Sequence, residues 1–406
     1  MTDHIPTDVQ TDATAARHGA ATSVDAGAAD WNARGRTVRR DPLAAYDEMR
    51  GRCPVARGTD GSWTVFTHAD VMAVALDHHT FANGVSAHLQ VPNGLDGAEH
   101  SAFRAVIDRY FTRERVRALE PQVRQVAEDL VASLDVPGAV DAVTLGSRFA
   151  VRAQSVWLGW PAEIEDELLQ WVRDNHDATR SGDRARTAEV AERFDAIIRA
   201  LTAVRREPDA PDDVTTALVR DQVDGRPLTD DEIVSILRNW TGGDLGSMAL
   251  CAGVVLTYLA DHPDLQARLR AGVSDRELDA ICDEILRIDD PFVSNRRVAT
   301  EPVPLGGREI AAGDRVVLSW TAANRDPRMF GDDPEAFDPV GNAPYNLVWG
   351  IGKHVCPGRP LATLELRVLV RAVVAATEAI APDPDGARRR SLPPLGGYAE
   401  APVTLR

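Results

Sequence analysis

A helical pattern that runs from residue 229 to residue 261 constrains this chain most, because few globular helices are that long. Shorter helical patterns account for most of the remaining sequence. They cover residues 99–134, 141–158, 162–175, 184–205, 274–288 and 358–380. Strand patterns are few and local, at 62–66 and in a hairpin over 303–318 around Gly306-Gly307. The sequence therefore predicts a mainly α fold with a small β region, built as a single compact unit.

Composition excludes several classes of protein. Of the 406 residues 44% are apolar, which suffices for a large core. We find no internal linker and expect one domain over residues 31–406, after an Ala/Thr/Asp-rich disordered segment over residues 1–30. The 45 basic and 62 acidic residues give a net charge of −17, which argues against nucleic-acid binding. With no signal-peptide layout and no uninterrupted apolar run of ~18 residues, we expect a cytoplasmic protein that does not use a membrane.

The long helical pattern carries an unusual glycine cluster at its centre. Gly242, Gly243 and Gly246 surround Asp244 there. Inside a helix each glycine costs about 1 kcal/mol relative to alanine. We therefore expect the backbone either to approach another group closely at this point or to kink.

One cysteine lies in a setting that suits a reactive sulfur. The four cysteines, too few and too scattered for a disulfide framework or a zinc site, are Cys53, Cys251, Cys282 and Cys356. Cys356 belongs to Trp-Gly-Ile-Gly-Lys-His-Val-Cys-Pro-Gly (349–358), directly before a helical pattern. The amides of such a loop and of the helix N-terminus can stabilise a sulfur anion. The alternative is an ordinary buried cysteine in a tight turn.

This string resembles the haem-ligand loop of the cytochrome P-450 family: an aromatic residue, Gly, x, Gly, x, His, x, Cys, x, Gly. It departs at Trp349, where the family usually has Phe; a tryptophan can still lie against the sulfur and donate a weak hydrogen bond to it. The resemblance spans roughly residues 40–406 and implies the P-450 fold. It also implies haem b with the Cys356 thiolate as axial ligand, whose electron push favours O–O cleavage. Gly350 and Gly358 would belong to the same cofactor loop.

Glu284 and Arg287 match the family's Glu-x-x-Arg motif, in which the two side chains share a helix face. In the family this pair packs under the haem and braces the cysteine loop. The family usually adds an Arg where this chain has Gly341, which cannot pair with the motif. The brace must therefore close differently, through Asn342 or through Asn324-Arg325.

Four basic residues match the family's haem-propionate donors. His100 and Arg104 are four residues apart and share one helix face, so the resemblance implies that they bind a propionate together. Arg297 corresponds to the family's propionate-binding strand, and His354 completes the set. In isolation, each would be read as an ordinary surface residue.

The long helix departs from the family at the position that faces O2. The family places an acid and then an alcohol there, and Gly246 and Ser247 take these positions here. Asp244 comes two residues early, ~200° around the helix. Either the alignment slips by two and Asp244 is the proton-relay acid, or protons come through Ser247 and water or from the substrate. In a third interpretation, both side chains only satisfy groups of the helix backbone.

The resemblance implies a haem-thiolate monooxygenase of secondary metabolism that oxidises a small-molecule or natural-product intermediate with O2. Separate ferredoxin and ferredoxin reductase would supply the electrons, docking on the arginine-rich stretch over 104–124 with Lys353 and Arg359. The acid missing at Gly246 favours an alternative, an oxidase that couples phenol or indole rings, in peptides included, without inserting oxygen. A third hypothesis is a non-catalytic member that binds haem or a ligand.

Residues that contact the substrate are assigned from the family topology. The segments that the family topology assigns to the substrate are rich in polar residues, which favours a polar, peptide or aromatic substrate over a fatty acid. The residues expected to contact it are Asn239, Trp240, Val293 and Tyr398.

Overall fold

The computed structural model describes residues 29–86 and 88–406. The disordered segment expected over residues 1–30 lies outside them, except for Ala29 and Asp30. Asp30 is held in the fold: its carboxylate accepts the backbone N–H of Arg57 at 2.8 Å and pairs with Arg308 at 3.1 Å.

Helices make up most of the described chain, as the sequence predicts. They are α1 Arg36–Arg40, α2 Pro42–Arg52, α3 His68–Leu76, α4 Gly97–Ile107, α5 Arg113–Ala132, α6 Ala142–Leu158, α7 Glu165–Ser181, α8 Arg184–Ala203, α9 Val214–Val219, α10 Asp230–Asp261, α11 Pro263–Ala271, α12 Asp275–Ile288, α13 Trp320–Ala323, α14 Pro327–Phe330 and α15 Arg359–Ala376. The helix predicted over 99–134 is two helices, because a 3-10 turn follows α4 and the Thr112 side chain caps α5 by accepting the Arg115 amide.

The strands are short and form small sheets. They are β1 Val55–Arg57, β2 Trp63–Val65, β3 Phe81–Ala82, β4 Gly138–Asp141, β5 Gln222–Val223, β6 Arg226–Pro227, β7 Ser294–Ala299, β8 Val303–Leu305, β9 Arg308–Ile310, β10 Arg315–Ser319, β11 Ile380–Pro382, β12 Arg389–Arg390, β13 Tyr398–Glu400 and β14 Pro402–Leu405. The largest sheet has the order β1-β2-β10-β7-β3, and a second has the order β11-β14-β4. The predicted hairpin is β8–β9. The mainly α fold with a small β region is confirmed.

Helix α10 runs through the core without interruption at its glycines. A capping box starts it: the Thr229 hydroxyl accepts the Glu232 amide, and the Glu232 carboxylate accepts the Thr229 amide. The helix is long and apolar enough to cross a membrane, with a mean hydropathy of 1.4 over its most apolar stretch, of which 78% is buried inside the protein. Apolar surface of this kind, covered by other helices, is that of a core helix.

Small residues let α6 and α10 pack backbone against backbone. A Cβ on Gly146 of α6 would lie 2.6 Å from the Ala252 Cβ and 3.0 Å from the Ala249 Cα on α10. The second neighbour is backbone, which cannot turn aside as a flexible side chain can. This contact fixes the distance between the two helices and therefore the height of the cavity described below.

We expect Gly146→Ala to lower the free energy of unfolding by about 1–3 kcal/mol, because the added methyl overpacks the α6–α10 contact. Gly51→Ala is the matched control, since Gly51 is also helical but has no neighbour within 4 Å of an added Cβ. It should stabilise by up to about 1 kcal/mol through helix propensity. Urea denaturation followed by circular dichroism measures both, and a Gly146→Ala protein as stable as the wild type would contradict the packing argument.

Candidate active site

A cavity of about 580 Å³ lies between α10 and the loop that carries Cys356, and α6, α7 and β7 complete its wall. Many of the residues predicted from sequence meet here. Those that line it are Asn239, Trp240, Asp244, Gly246, Ser247, Val293, Arg297, Trp349, Gly350, His354, Cys356 and Gly358. Those that do not line it are His100, Arg104, Glu284, Arg287 and Tyr398.

Glycines shape the cysteine loop. Gly350 and Gly352 both have a φ of +69°, a conformation that side chains other than glycine rarely adopt. The turn is closed by the Cys356 amide, which donates to the Trp349 carbonyl at 2.9 Å. A Cβ on Gly358 would lie 3.8 Å from the Cys356 sulfur, an ordinary contact distance, so this residue lies directly beside the sulfur.

The Cys356 sulfur lies at the floor of the cavity with amides directed at it. Burial raises the pKa of the thiol, and the backbone hydrogen bonds from Gly358 and Arg359 oppose that rise. Both amides belong to the start of α15, as expected from the sequence. A cationic metal at this sulfur would add the charge that the thiolate form requires.

Trp349 does not use its N–H on the sulfur, which corrects that part of the sequence analysis. Its indole nitrogen donates to Asp283 at 2.8 Å, and Arg359 donates to the other oxygen of the same carboxylate at 3.0 Å. The Arg359 guanidinium also lies 5.9 Å from the centre of the indole ring. Trp349 therefore ties the cysteine loop to α12 while one side of it lines the cavity.

Glu284 and Arg287 form an ion pair that is almost completely buried on α12. Two guanidinium nitrogens of Arg287 donate to the two carboxylate oxygens of Glu284 at 2.8 and 2.9 Å. The remaining donors of Arg287 reach the carbonyls of Asn324, Pro334 and Ala336 at 2.8 to 3.1 Å. One residue thus fixes the chain that leads toward the cysteine loop.

Asn342 takes the part for which the family uses an arginine. Its amide nitrogen donates to Glu284 at 2.7 Å, and the Asp338 backbone N–H donates to the same oxygen at 3.0 Å. The second candidate, Asn324-Arg325, contacts Arg287 only through the Asn324 carbonyl. The structure shows both closures left open by the sequence: the Asn342 side chain bonds Glu284, and Asn324 bonds Arg287 through its carbonyl.

A basic cluster lies beside the cysteine loop with little acid to neutralise it. His100 is 2% exposed, and neither of its ring nitrogens has a hydrogen-bond partner among the residues that the structure describes. Its ring packs at 4.2 Å against that of His354, which lines the cavity. Arg297 is buried, and Asp96 is the nearby acid, 3.3 Å from the His354 ring. Unpaired buried donors of this kind fit the carboxylates of an absent ligand.

Arg104, predicted to bind a haem propionate, bonds the backbone of the cysteine loop instead. Its guanidinium donates to the carbonyls of Lys353 and Val355, both at 2.9 Å, and to Asp108 at 2.8 Å. These contacts hold α4 against the cysteine loop, outside the cavity. They support a loop-bracing role in place of the propionate role.

A pair of carboxyl groups from different helices meets in the cavity wall. Asp244 of α10 and Glu365 of α15 are within hydrogen-bonding reach of each other and of Gln154 on α6. The Gln154 amide also reaches Glu365, at 3.5 Å. Burial raises the pKa of both carboxyl groups, and the Asp244 carboxyl raises that of Glu365 further. Two carboxyl groups can share a hydrogen bond only if one holds a proton, so the pair retains a proton.

The central glycines of α10 allow close approach, the first of the two possibilities drawn from the sequence. Added Cβ atoms on Gly242 and Gly246 would lie 3.4 Å from the Trp171 ring and 3.1 Å from the His176 Nε2, both on α7. The helix itself continues through this segment. Gly246 thus faces α7, whereas Asp244 faces α6 and α15.

The substrate side of the cavity differs in part from the prediction. Tyr398 lies outside it, with the Arg390 guanidinium 4.4 Å from its ring. Asn239 lines the cavity, although its amide nitrogen is used by the Val91 carbonyl at 2.9 Å. The lining residues that the sequence analysis missed include Phe111, Gln154, Trp157, Pro394 and Leu395, whereas Asn175 and His176 lie in the stretch 162–205 that the family topology assigns to the substrate. The missed residues come from elements far apart in the chain, and no local pattern points to them.

We expect Asn342→Ala to lower the free energy of unfolding by about 1–3 kcal/mol, because it leaves a buried Glu284 oxygen short of a donor. Asn32→Ala, at an exposed side chain that caps only a neighbouring amide, is the matched control. Urea denaturation of both variants tests this. An Asn342→Ala protein that unfolds at the wild-type midpoint would show that Asn342 does not close the brace.

Comparisons with known proteins all point to one family. The sequence model described as Cytochrome P450 matches residues 178–383. The chain is 32% identical over 346 residues to the cyclomarin C epoxidase CymV of Salinispora arenicola, covering 80% of this chain and 86% of that protein. It is 32% identical over 360 residues to the erythromycin C-12 hydroxylase of Saccharopolyspora erythraea, covering 84% and 88%.

Comparison with solved structures points to the same family. A mutant of P450 EryK in complex with erythromycin B superimposes with a TM-score of 0.81 at 29% identity, over 90% of this chain and 96% of that one. The cysteine loop, the buried Glu284–Arg287 pair and the basic cluster provide what a haem with a thiolate ligand requires. The chain belongs to the cytochrome P450 family, and it is an oxidoreductase of that family.

Proposed function

We propose that this monooxygenase inserts one oxygen atom from O2 into a natural-product intermediate. The observation that carries the proposal is the cavity itself, which has the Cys356 sulfur at its floor and the polar face of α10 opposite. Several relatives are named as epoxidase or hydroxylase of such compounds, which supports the reaction class. Alternating polar and aromatic lining residues suit a substrate that carries both kinds of group.

The residues present fit haem b, which supplies the binding and activation of O2 when it is bound. Cys356 would ligate the iron as thiolate. Arg297, His100 and His354 would take the propionates: the Arg297 guanidinium and the His100 ring are buried, the His100 nitrogens have no partner in the described chain, and the His354 ring packs against that of His100. Gly350, with its positive φ, and Gly358, beside the sulfur, would shape the loop that presents Cys356 to the cofactor.

Proton supply is assigned to the carboxyl pair. Glu365 has no direct access to the cavity, whereas Asp244 lines it. A proton held between the two can therefore leave through the Asp244 oxygen that has no partner in the described chain. Ser247 lies three residues along the same helix and also lines the cavity, so its hydroxyl can pass this proton onward. This route uses the carboxyl group of Asp244 on α10 and needs no acid at position 246.

We expect Asp244→Asn and Ser247→Ala each to reduce the product formed per NAD(P)H consumed by about ten-fold or more, with hydrogen peroxide released instead, because general acids commonly contribute 10²–10⁴-fold. Asp231→Asn, an exposed carboxylate on the first turn of α10, is the control. Product and peroxide are quantified in the same reaction. Unchanged coupling in Asp244→Asn would remove the carboxyl pair from proton delivery, and unchanged coupling in Ser247→Ala would remove the hydroxyl.

A coupling oxidase is the second candidate, because Gly246 leaves the usual acid position without a side chain. The two reactions differ in product mass. Turnover under ¹⁸O2 should add one labelled oxygen to the product if the monooxygenase proposal holds. A product that has lost two hydrogens and contains no label would establish coupling instead.

The electron donor is proposed to be a ferredoxin with its ferredoxin reductase, in the cytoplasm. Arg113, Arg115 and Arg117 are exposed at the start of α5, and Lys353 and Arg359 are exposed beside the cysteine loop. Arg104 binds α4 to that loop, so the two groups of cations belong to one face on the sulfur side of the protein. An acidic ferredoxin would be attracted to this basic face, although the protein as a whole is acidic.

A further inference from the structure

His176 is a buried imidazole in the cavity wall, and one of its two ring nitrogens lacks a side-chain partner within the described ranges. It lies on α7, is 6% exposed and lines the cavity. Its Nε2 finds no hydrogen-bond partner in the part of the chain that the structure describes. An unmet buried nitrogen costs about 1–3 kcal/mol. A hydrogen bond from a ligand in the cavity would offset that cost.

The glycine at position 246 makes room for this imidazole. A Cβ there would lie 3.1 Å from the His176 Nε2 and 3.7 Å from its Cδ2, closer than the ring can accept without moving. Any larger side chain, including the acid that the family carries at this position, would displace the ring. Gly246 and His176 therefore form a complementary pair, and the polar group at this point of the wall comes from α7 instead of α10.

The imidazole is uncharged at neutral pH. Burial, together with the charge of Arg180 on the same helix, lowers the pKa of His176 to about 4. The main chain of Gly246 and the Asp177 carboxylate act in the opposite direction and do not offset the burial. A neutral imidazole has one nitrogen that donates and one that accepts, so it can pair with a hydroxyl, a phenol or an amide.

We propose that His176 is a substrate-positioning residue, which holds a neutral hydroxyl, phenol or amide of the substrate through Nε2 and so determines which part of the molecule faces the reactive centre. The proposal rests on the proposed function and adds the chemical class of group that the substrate must carry.

The test uses the haem-loaded protein and azoles whose imidazole nitrogen binds the iron, so that the Soret shift reports binding without turnover. The probes are 4-phenylimidazole and its 2-, 3- and 4-hydroxyphenyl analogues. For each hydroxyl isomer, the ratio of its dissociation constant to that of 4-phenylimidazole measures the preference for a hydroxyl. The wild type should favour at least one isomer by about five-fold, the value of one hydrogen bond of about 1 kcal/mol.

Variants separate a hydrogen bond from a structural effect. His176→Leu should lose the preference, His176→Gln should keep most of it, and His262→Leu, at an exposed histidine stacked on Tyr258, should leave it unchanged. Gly246→Ala should weaken the preference by pushing the ring away. The same change should have no further effect in the His176→Leu background, since contacting residues are not additive.

A wild type without preference for any isomer overturns the proposal, and so does a preference that survives in His176→Leu. A chain that shows no azole shift at all contradicts the proposed function instead, because it then holds no accessible haem iron in this cavity.

Discussion

The ion pair between Glu284 and Arg287 is the interaction on which the cysteine loop depends. Removing one partner would leave an uncompensated buried charge, which commonly costs 3–5 kcal/mol. The chain from Asn324 to Asn342 therefore surrounds the pair and bonds it through backbone carbonyls and the Asn342 amide. Asn324 carries the constraint onward, because its side chain accepts the Leu347 amide at 2.8 Å, and the Leu347 carbonyl accepts the Gly350 amide. The Glu284–Arg287 salt bridge on α12 thus helps to determine the position of the Cys356 sulfur.

The opposite wall of the cavity is organised by how closely helices approach α10. Gly146 brings α6 near, and Gly242 and Gly246 admit α7. As a result, polar groups that the long helix does not itself carry reach the cavity from neighbouring helices: Gln154 from α6 and His176 from α7. Glu365 of α15 lies behind Asp244 and does not line the cavity. The fold can therefore keep its helices and still change the polar groups on this wall of the cavity. A glycine on α10 removes one side chain, and a side chain from a neighbouring helix takes its place.

The features that were predictable from sequence are those with local spacing. The cysteine loop and the Glu284–Arg287 pair each lie within one short segment, and a resemblance to a family places both. The helix-rich fold follows from periodicity. What could not be predicted depends on tertiary packing: the closure through Asn342, the Asp244–Glu365 pair, and His176. Arg104 and Tyr398 were assigned by position in the family, yet their side chains find partners in Lys353 and Val355 and in Arg390, outside the cavity.

The measurement that tests the central claim most directly is the carbon-monoxide difference spectrum of the reduced, haem-loaded protein, recorded for the wild type and for Cys356→Ala. We expect a Soret band at the position typical of thiolate ligation in the wild type and its loss in the variant. A wild-type band typical of histidine or neutral thiol ligation, or a thiolate band that persists without Cys356, would contradict the assignment of this sulfur as the iron ligand.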